Sequence, residues 1–308
     1  MNNYYIALGY KCNHACVMCP LRTYDRLHAT FDRDEVFAGL ERMDIQKDDA
    51  ITVSGGEPTL VPFLSDVLGY LTDHGAQVSL LTNGTGLADE QSARKVLAGV
   101  DLGRFDATLA LHSARAEVHD GITGCPGSQA TSLAAIDTLT AMGVPVWIKI
   151  ILNKVTYPEL ANISQLLRDR YTPGQIKVVL TATDYAGRAE KNEEELFATF
   201  AEMQNATESF IDSLIDLDEP YSIKLIEMPL CATDPYYWKL YSKPLMTTDG
   251  YFAPNAKAEG NVSTAEPMLC HPVGECGACP VKHMCQGVWE SAYRLGGGGL
   301  VAPVRIVS

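Results

Sequence analysis

The stretch YYIALGYKCNHACVMCP, residues 4–20, sets a short apolar run ahead of a loop with three thiols, and that order decides how the chain is read. Tyr4 to Leu8 is rich in aromatic and aliphatic side chains and stops at Gly9, as a β-strand does. The loop then spaces its cysteines as Cys12-x3-Cys16-x2-Cys19, with Pro20 immediately after. A strand followed by a ligand-bearing loop is the start of a parallel α/β unit, whose chemistry collects beyond the C-terminal ends of the strands.

Working outward, the same alternation recurs. Further strand-like runs are AITV (50–53), QVSLL (77–81), FDATLAL (105–111), VPVWIKII (144–151) and IKVVLT (176–181), which makes six with the first. Between them, apolar residues repeat at i, i+3, i+4: Val36, Phe37, Leu40 and Met43, then Leu60, Phe63, Leu64, Val67, Leu68 and Leu71. Leu133, Ile136 and Met142 repeat the stripe, as do Leu160, Ile163 and Leu167, and one long helix is expected over 192–216 with Leu196, Phe200, Met203, Phe210 and Leu214 inward. The fold class is α/β, a partial (β/α)6 barrel over residues 1–217.

After Asp218-Glu219-Pro220 the pattern changes. A short strand (SIKLIEM, 222–228), a hairpin (PLMTTDGYFAPN, 244–255) and cysteine-rich loops define a smaller unit over 218–308, thin in apolar residues and dependent on metal ligation for stability. The glycine run 296–299 reads as a flexible connection before a short terminal strand.

Composition narrows the function. The formal charge of −14, from 38 acidic against 24 basic residues, argues against nucleic acid and fits a cationic substrate, or simply a well-solvated surface. The N-terminus has no signal-peptide pattern, and no run of about 18 apolar residues follows, so a cytoplasmic protein with no membrane partner is expected. In a reducing compartment nine cysteines point to metal ligation rather than disulfides.

Three thiolates can hold three irons of a [4Fe-4S] cube and leave the fourth iron open. Zinc is the alternative, although structural zinc takes four protein ligands and catalytic zinc usually includes histidine or carboxylate. His14 is not counted as a ligand. Gly55-Gly56-Glu57-Pro58 follows the second strand; its glycines allow close backbone approach to a ligand, and Glu57 offers an anion to an ammonium group.

Together, CNHACVMC and GGEP resemble the signature of the radical S-adenosylmethionine (radical SAM) superfamily, over roughly residues 4–190. The resemblance implies that Cys12, Cys16 and Cys19 hold a [4Fe-4S] cluster. S-adenosylmethionine would bind its open iron, and reductive cleavage would release a 5′-deoxyadenosyl radical that takes hydrogen from an unactivated carbon. It also implies cofactor contacts from Gly55, Gly56, Glu57 and Pro58, and from Asn83 in the Thr82-Asn83-Gly84 turn. Further contacts are implied for His112, Ser113, Lys149 and, in a Gly187-Arg188-Ala189 turn near the adenine, Arg188. Met18 stands where the family more often has an aromatic residue, and can cover the adenine similarly.

Cys276-x2-Cys279-x5-Cys285 resembles the auxiliary-cluster segment of the SPASM/twitch subgroup. With Cys231 and Cys270, five thiols suit a second, auxiliary [4Fe-4S] cluster with one cysteine spare. Cys231 resembles the first ligand of such domains and leaves Cys270 spare; the reverse assignment stays open, as does a four-cysteine zinc site. Cys125 is read as incidental. The layout is similar to natural-product epimerases such as the aminoglycoside neomycin epimerase, which implies a redox-neutral epimerisation of a cationic substrate with Cys270 or Cys231 as hydrogen donor. The alternative is a peptide maturase or dehydrogenase whose auxiliary cluster accepts an electron. A start at strand one, without the N-terminal recognition domain of many maturases, weighs against a peptide. A flavodoxin or ferredoxin is the expected electron donor, and a non-catalytic iron–sulfur or zinc scaffold is the reading from another class.

Overall fold

In the computed structural model the described residues are 2–21, 32–242, 250–252, 262–263 and 269–302. Strands and helices alternate through the first two thirds: β1 (Asn3–Ala7), α1 (Arg33–Arg42), β2 (Ala50–Ser54), α2 (Leu64–Asp73), β3 (Gln77–Thr82), α3 (Glu90–Val96) and β4 (Phe105–Ala110). After β4 come α4 (Ala116–Thr123), α5 (Ser128–Ala141), β5 (Val146–Leu152), α6 (Leu160–Arg170) and β6 (Ile176–Ala182). Then follow α7 (Arg188–Lys191), α8 (Glu193–Leu196), α9 (Phe200–Ile215) and β7 (Ser222–Ile226). Strands β1 to β7 are all parallel and lie side by side in chain order. This is the expected α/β architecture with a seventh parallel strand added.

Period-two alternation separates the two faces of this sheet. On β4, Phe105, Ala107 and Leu109 are buried while Asp106, Thr108 and Ala110 are half-buried. On β5, Val146, Ile148, Ile150 and Leu152 are buried and Trp147, Lys149 and Ile151 half-buried. The buried set packs with Leu68 and Leu71 of α2, Ile136 of α5 and Ile163 and Leu167 of α6 in one continuous core. The half-buried set lines the inner face.

The seventh strand is where the sequence boundary misleads. Residues 222–226, expected in the smaller unit, pair with β6 in the main sheet, with Val178 opposite Ile223 and Leu180 opposite Leu225. That register puts the apolar side chains of both strands in the same core. Asp218-Glu219-Pro220 is thus the loop of one more α/β unit.

The long helix expected over 192–216 is broken. Thr199 caps α9: its hydroxyl accepts the Glu202 N–H while the Glu202 carboxylate accepts the Thr199 N–H at 2.7 Å. This reciprocal cap satisfies orphan donors that a continuous helix would not expose, so a new N-terminus forms. The five residues expected inward are nonetheless buried.

Beyond β7 come β8 (Gly250–Phe252), β9 (Val262–Ser263), β10 (Leu269–Cys270), α10 (Val273–Cys276), β11 (Val288–Trp289) and α11 (Glu290–Gly296). Most of the hairpin expected over 244–255 lies outside the described residues. Its described part, β8, pairs parallel with β1 and antiparallel with β9. β10 and β11 form a separate antiparallel pair. Gly297–Gly299 form a 3-10 turn, and the expected terminal strand lies outside the described residues. Among the described residues no helix is long and apolar enough to cross a membrane.

Candidate functional site

The loop carrying Cys12, Cys16 and Cys19 leaves the C-terminal end of β1, and segments after β2 to β6 all hold it. From β2, Gly56 and Glu57 donate backbone N–H groups to Gly9 O and Lys11 O, both at 2.8 Å. That contact requires glycine: a Cβ at Gly55 would stand 2.1 Å from Gly9 O, and one at Gly56 2.2 Å from Lys11 O. The glycines expected to admit a ligand therefore admit the cysteine loop itself.

From β3, the Asn83 amide donates to Asn13 Oδ1 at 2.8 Å and Asn13 donates to Thr85 Oγ1 at 2.9 Å. From α4, Thr123 O and Ile122 O accept the N–H groups of Ala15 and Val17. From β5, Asn153 Nδ2 donates to the sulfur of Met18 at 3.2 Å. After β6, Arg188 N–H donates to Cys19 O at 2.9 Å and Asn192 Nδ2 to Val17 O at 2.9 Å. Gly187 sits so close that a Cβ there would meet Pro20 O at 2.5 Å.

Several expected cofactor contacts are thus engaged with the chain. Glu57 is buried, and its carboxylate accepts from Thr59 N–H (3.0 Å), Thr59 Oγ1 (2.6 Å), Thr82 Oγ1 (2.6 Å) and Asn83 N–H (2.7 Å). Three of these donors share Oε1 and one takes Oε2, so the carboxylate clips the β2 loop to the β3 loop. Pro58 starts the 3-10 turn that aims it. Ser113 donates to Glu159 at 2.6 Å in a network with Arg115 and is fully buried. Met18 is 3% exposed and packs in the core, so it secures the loop rather than standing open for an adenine.

Other groups keep capacity. Lys149 is half-buried on the inner face. The Arg188 Nη1 is buried with no hydrogen-bond partner among the described residues, although its backbone holds Cys19. His112 Nδ1 is similarly orphaned. The His112 ring stacks on that of His119 at 5.6 Å, and the His112 backbone N–H donates to His119 Nδ1 at 3.1 Å. Burial holds the His112 imidazole well below its usual range, with His119 and Lys149 adding to the effect. Burial pushes His119 down to about 4, and lowers His14 against the opposing charge of Asp120. Two orphaned polar atoms of this kind are what a polar ligand seated there would satisfy.

The C-terminal cysteines gather as well. Cys231, Cys270, Cys276, Cys279 and Cys285 all line one pocket, together with Pro229, Leu230, Val281 and Val288. Among the described residues no three Cys, His, Asp or Glu side chains are grouped closely enough to hold a metal ion, here or in the Cys12–Cys19 loop. Burial pushes the Cys231 thiol up to about 11, and nearby Cys285 and Cys276 push the same way. Cys270 is raised by burial and then by Glu290, not by the other thiols. Cys285 Sγ accepts the N–H groups of Leu230 (3.4 Å) and Gly287 (3.3 Å), which ties the segment after β7 to this cluster of cysteines.

An open parallel α/β barrel whose first loop carries three thiols, clamped by the loops that follow, defines a class of metallocluster enzymes. A family model, the radical SAM superfamily, matches residues 6–167, and the chain belongs to that superfamily. The mycofactocin maturase MftC of Mycobacterium ulcerans is 32% identical over 168 residues, 53% of this chain and 43% of that protein. An AdoMet-dependent heme synthase of Methanosarcina barkeri is 29% identical over 51% of this chain and 44% of its own length. A PqqA peptide cyclase of Streptomyces rochei is 31% identical over 51% and 41%. The match thus spans less than half of each relative. In fold, the chain is similar to Streptococcus suis SuiB bound to S-adenosylmethionine, with a TM-score of 0.64 and 11% identity over 98% of this chain and 76% of that one. The superfamily's cofactors are a [4Fe-4S] cluster and S-adenosylmethionine.

Proposed function

We propose that this chain is a radical SAM enzyme that modifies a peptide substrate, with Cys12, Cys16 and Cys19 as ligands of the S-adenosylmethionine-binding cluster. The observation that carries the reading is the three-thiol loop held at the mouth of the barrel by segments after five successive strands. When bound, the cofactors supply a 5′-deoxyadenosyl radical able to abstract hydrogen from an unactivated carbon. The chain's own part is to fix the loop, to present the Arg188 Nη1 donor and the unpaired His112 Nδ1 to a bound ligand, and to exclude water with a packed floor.

For the auxiliary cluster, the mutual proximity of Cys231, Cys276 and Cys285 supports Cys231, Cys276, Cys279 and Cys285 as ligands, with Cys270 left over. Such a cluster can take one electron from a substrate radical, as a maturation that oxidises its substrate requires. The peptide reading is favoured over an aminoglycoside because a peptide cyclase and a maturase are among the relatives. Redox-neutral epimerisation is the second reading, supported by Cys270, a thiol kept protonated by burial and Glu290. A reduced flavodoxin or ferredoxin and a reducing cytoplasmic setting fit both.

Anaerobic reconstitution followed by assay of S-adenosylmethionine cleavage under dithionite tests the class: deoxyadenosine is expected, and its absence from iron-replete protein would end the reading. Mass spectrometry with candidate precursor peptides in deuterated water separates the chemistries. Oxidative maturation lowers product mass, whereas epimerisation retains it apart from one solvent deuterium.

A further inference from the structure

The inner face of the barrel carries a group of lysines although the chain as a whole is acidic. Trp147 on β5 is flanked by two ammonium groups: Lys224 Nζ of β7 lies 4.3 Å from its ring centre and Lys177 Nζ of β6 lies 5.2 Å from it. Strand register explains the grouping, since Trp147 is opposite Lys177, and Val179, two residues along β6, is opposite Lys224. Lys149 stands on the same face one row nearer the mouth, opposite Val179.

One carboxylate faces these lysines. The ion pairs within 4 Å among the described residues all use arginine. Asp106 on β4 accepts a hydrogen bond from Ser79 Oγ at 2.6 Å, and burial raises its carboxyl while the charges of Lys177 and Lys224 draw it back down. Two ammonium groups against one partly buried carboxylate leave a net positive patch over an aromatic face, which can serve as an anion subsite. The net charge of −14 favoured a cationic substrate in the sequence reading, yet this patch has the reverse polarity.

We propose that Lys177 and Lys224, held on Trp147, anchor an acidic side chain of an extended peptide substrate. This rests on the reading of the chain as a peptide-modifying radical enzyme, and it names the substrate class as acidic. Lys177 lies four positions before Thr181 at the mouth end of β6, or about 13 Å along the strand at about 3.3 Å per residue. An anchored glutamate or aspartate therefore sets the reacting residue about four positions away in an extended chain. A concave face admits a single chain, whereas a folded partner would have to reach past the strand ends.

The test uses the anaerobically reconstituted full chain and a short glutamate-rich peptide, with glutamine and lysine counterparts. The glutamate peptide is expected to bind, to alter tryptophan fluorescence in a way that Trp147→Phe abolishes, and to weaken with salt. Binding should fall at least about tenfold in the Lys177→Gln/Lys224→Gln double variant and recover in the Lys→Arg pair, with circular dichroism and iron content matching the parent. Equal binding of all three peptides, or an unaffected double variant, overturns the proposal. So does a double variant that loses binding of an acidic flavodoxin but not of the peptide. No turnover is needed, so failed S-adenosylmethionine cleavage would sink the functional reading and leave this result standing, and the reverse holds too.

Discussion

Replacing Gly56 by alanine tests how the cysteine loop is held. The methyl group would stand 2.2 Å from the Lys11 carbonyl oxygen and 2.6 Å from the carbonyl carbons of Tyr10 and Lys11, against an ordinary contact of 3.4 Å or more. These are backbone atoms, so the segment Tyr10 to Cys12 must retreat by about 1 Å. Retreat breaks the two 2.8 Å bonds from Gly56 and Glu57 to Gly9 and Lys11, at about 1 kcal/mol each. Overpacking adds roughly 1–3 kcal/mol. A cost of about 3–5 kcal/mol thus falls on the residues next to Cys12. Iron and sulfide analysis of reconstituted protein is the assay. The variant is expected to hold about four of about eight irons per chain, with the auxiliary cluster retained and S-adenosylmethionine cleavage abolished. Gly121→Ala on α4, where nothing lies within 4 Å, is the control and should load fully. A Gly56→Ala protein with full iron and parental cleavage would refute the steric argument.

Three other outcomes are expected. Cys231→Ala should lose the auxiliary iron while Cys270→Ala keeps it, read by iron analysis and electron paramagnetic resonance. Glu57→Gln points an amide N–H₂ at donors that need an acceptor, so a loss of about 2–4 kcal/mol is expected in thermal melts. His119, held near 4, contributes its full stability above its unfolded value of about 6.5. As pH falls from about 6.5 towards 4 the unfolded chain takes up a proton that the folded chain refuses, so up to about 3 kcal/mol is lost and the curve flattens below. His119→Asn keeps an acceptor for the His112 N–H and should remove that slope in urea titrations at successive pH values.

The strands were legible because each is a short aliphatic run closed by a turn. The partner of Ser222–Ile226 was not, because register is a property of two segments and the acidic loop before it looked like a boundary. The break at Thr199 is written in the sequence as a capping box, Thr199-x-x-Glu202, which here outweighs the apolar period running through it. In the site, the spacing of the cysteines revealed them. The asparagines that secure their loop carry no local signal, since the bonds of Asn83, Asn153 and Asn192 span 70, 135 and 175 positions. Lys177 and Lys224 were invisible for the same reason: only the assembled register brings them to one tryptophan.

The clasp between Asn192 and Val17 also has a consequence for biosynthesis. A ribosome adding about 5–20 residues per second needs roughly 9–35 s to traverse the 175 positions separating them. Throughout that interval the nascent thiols lack their last restraint and meet oxidants and stray metal ions as a loose peptide. A cluster seated before that bond closes would sit in a loop lacking one of its restraints, so the completed clasp is expected to slow loss of iron from the Cys12–Cys19 loop.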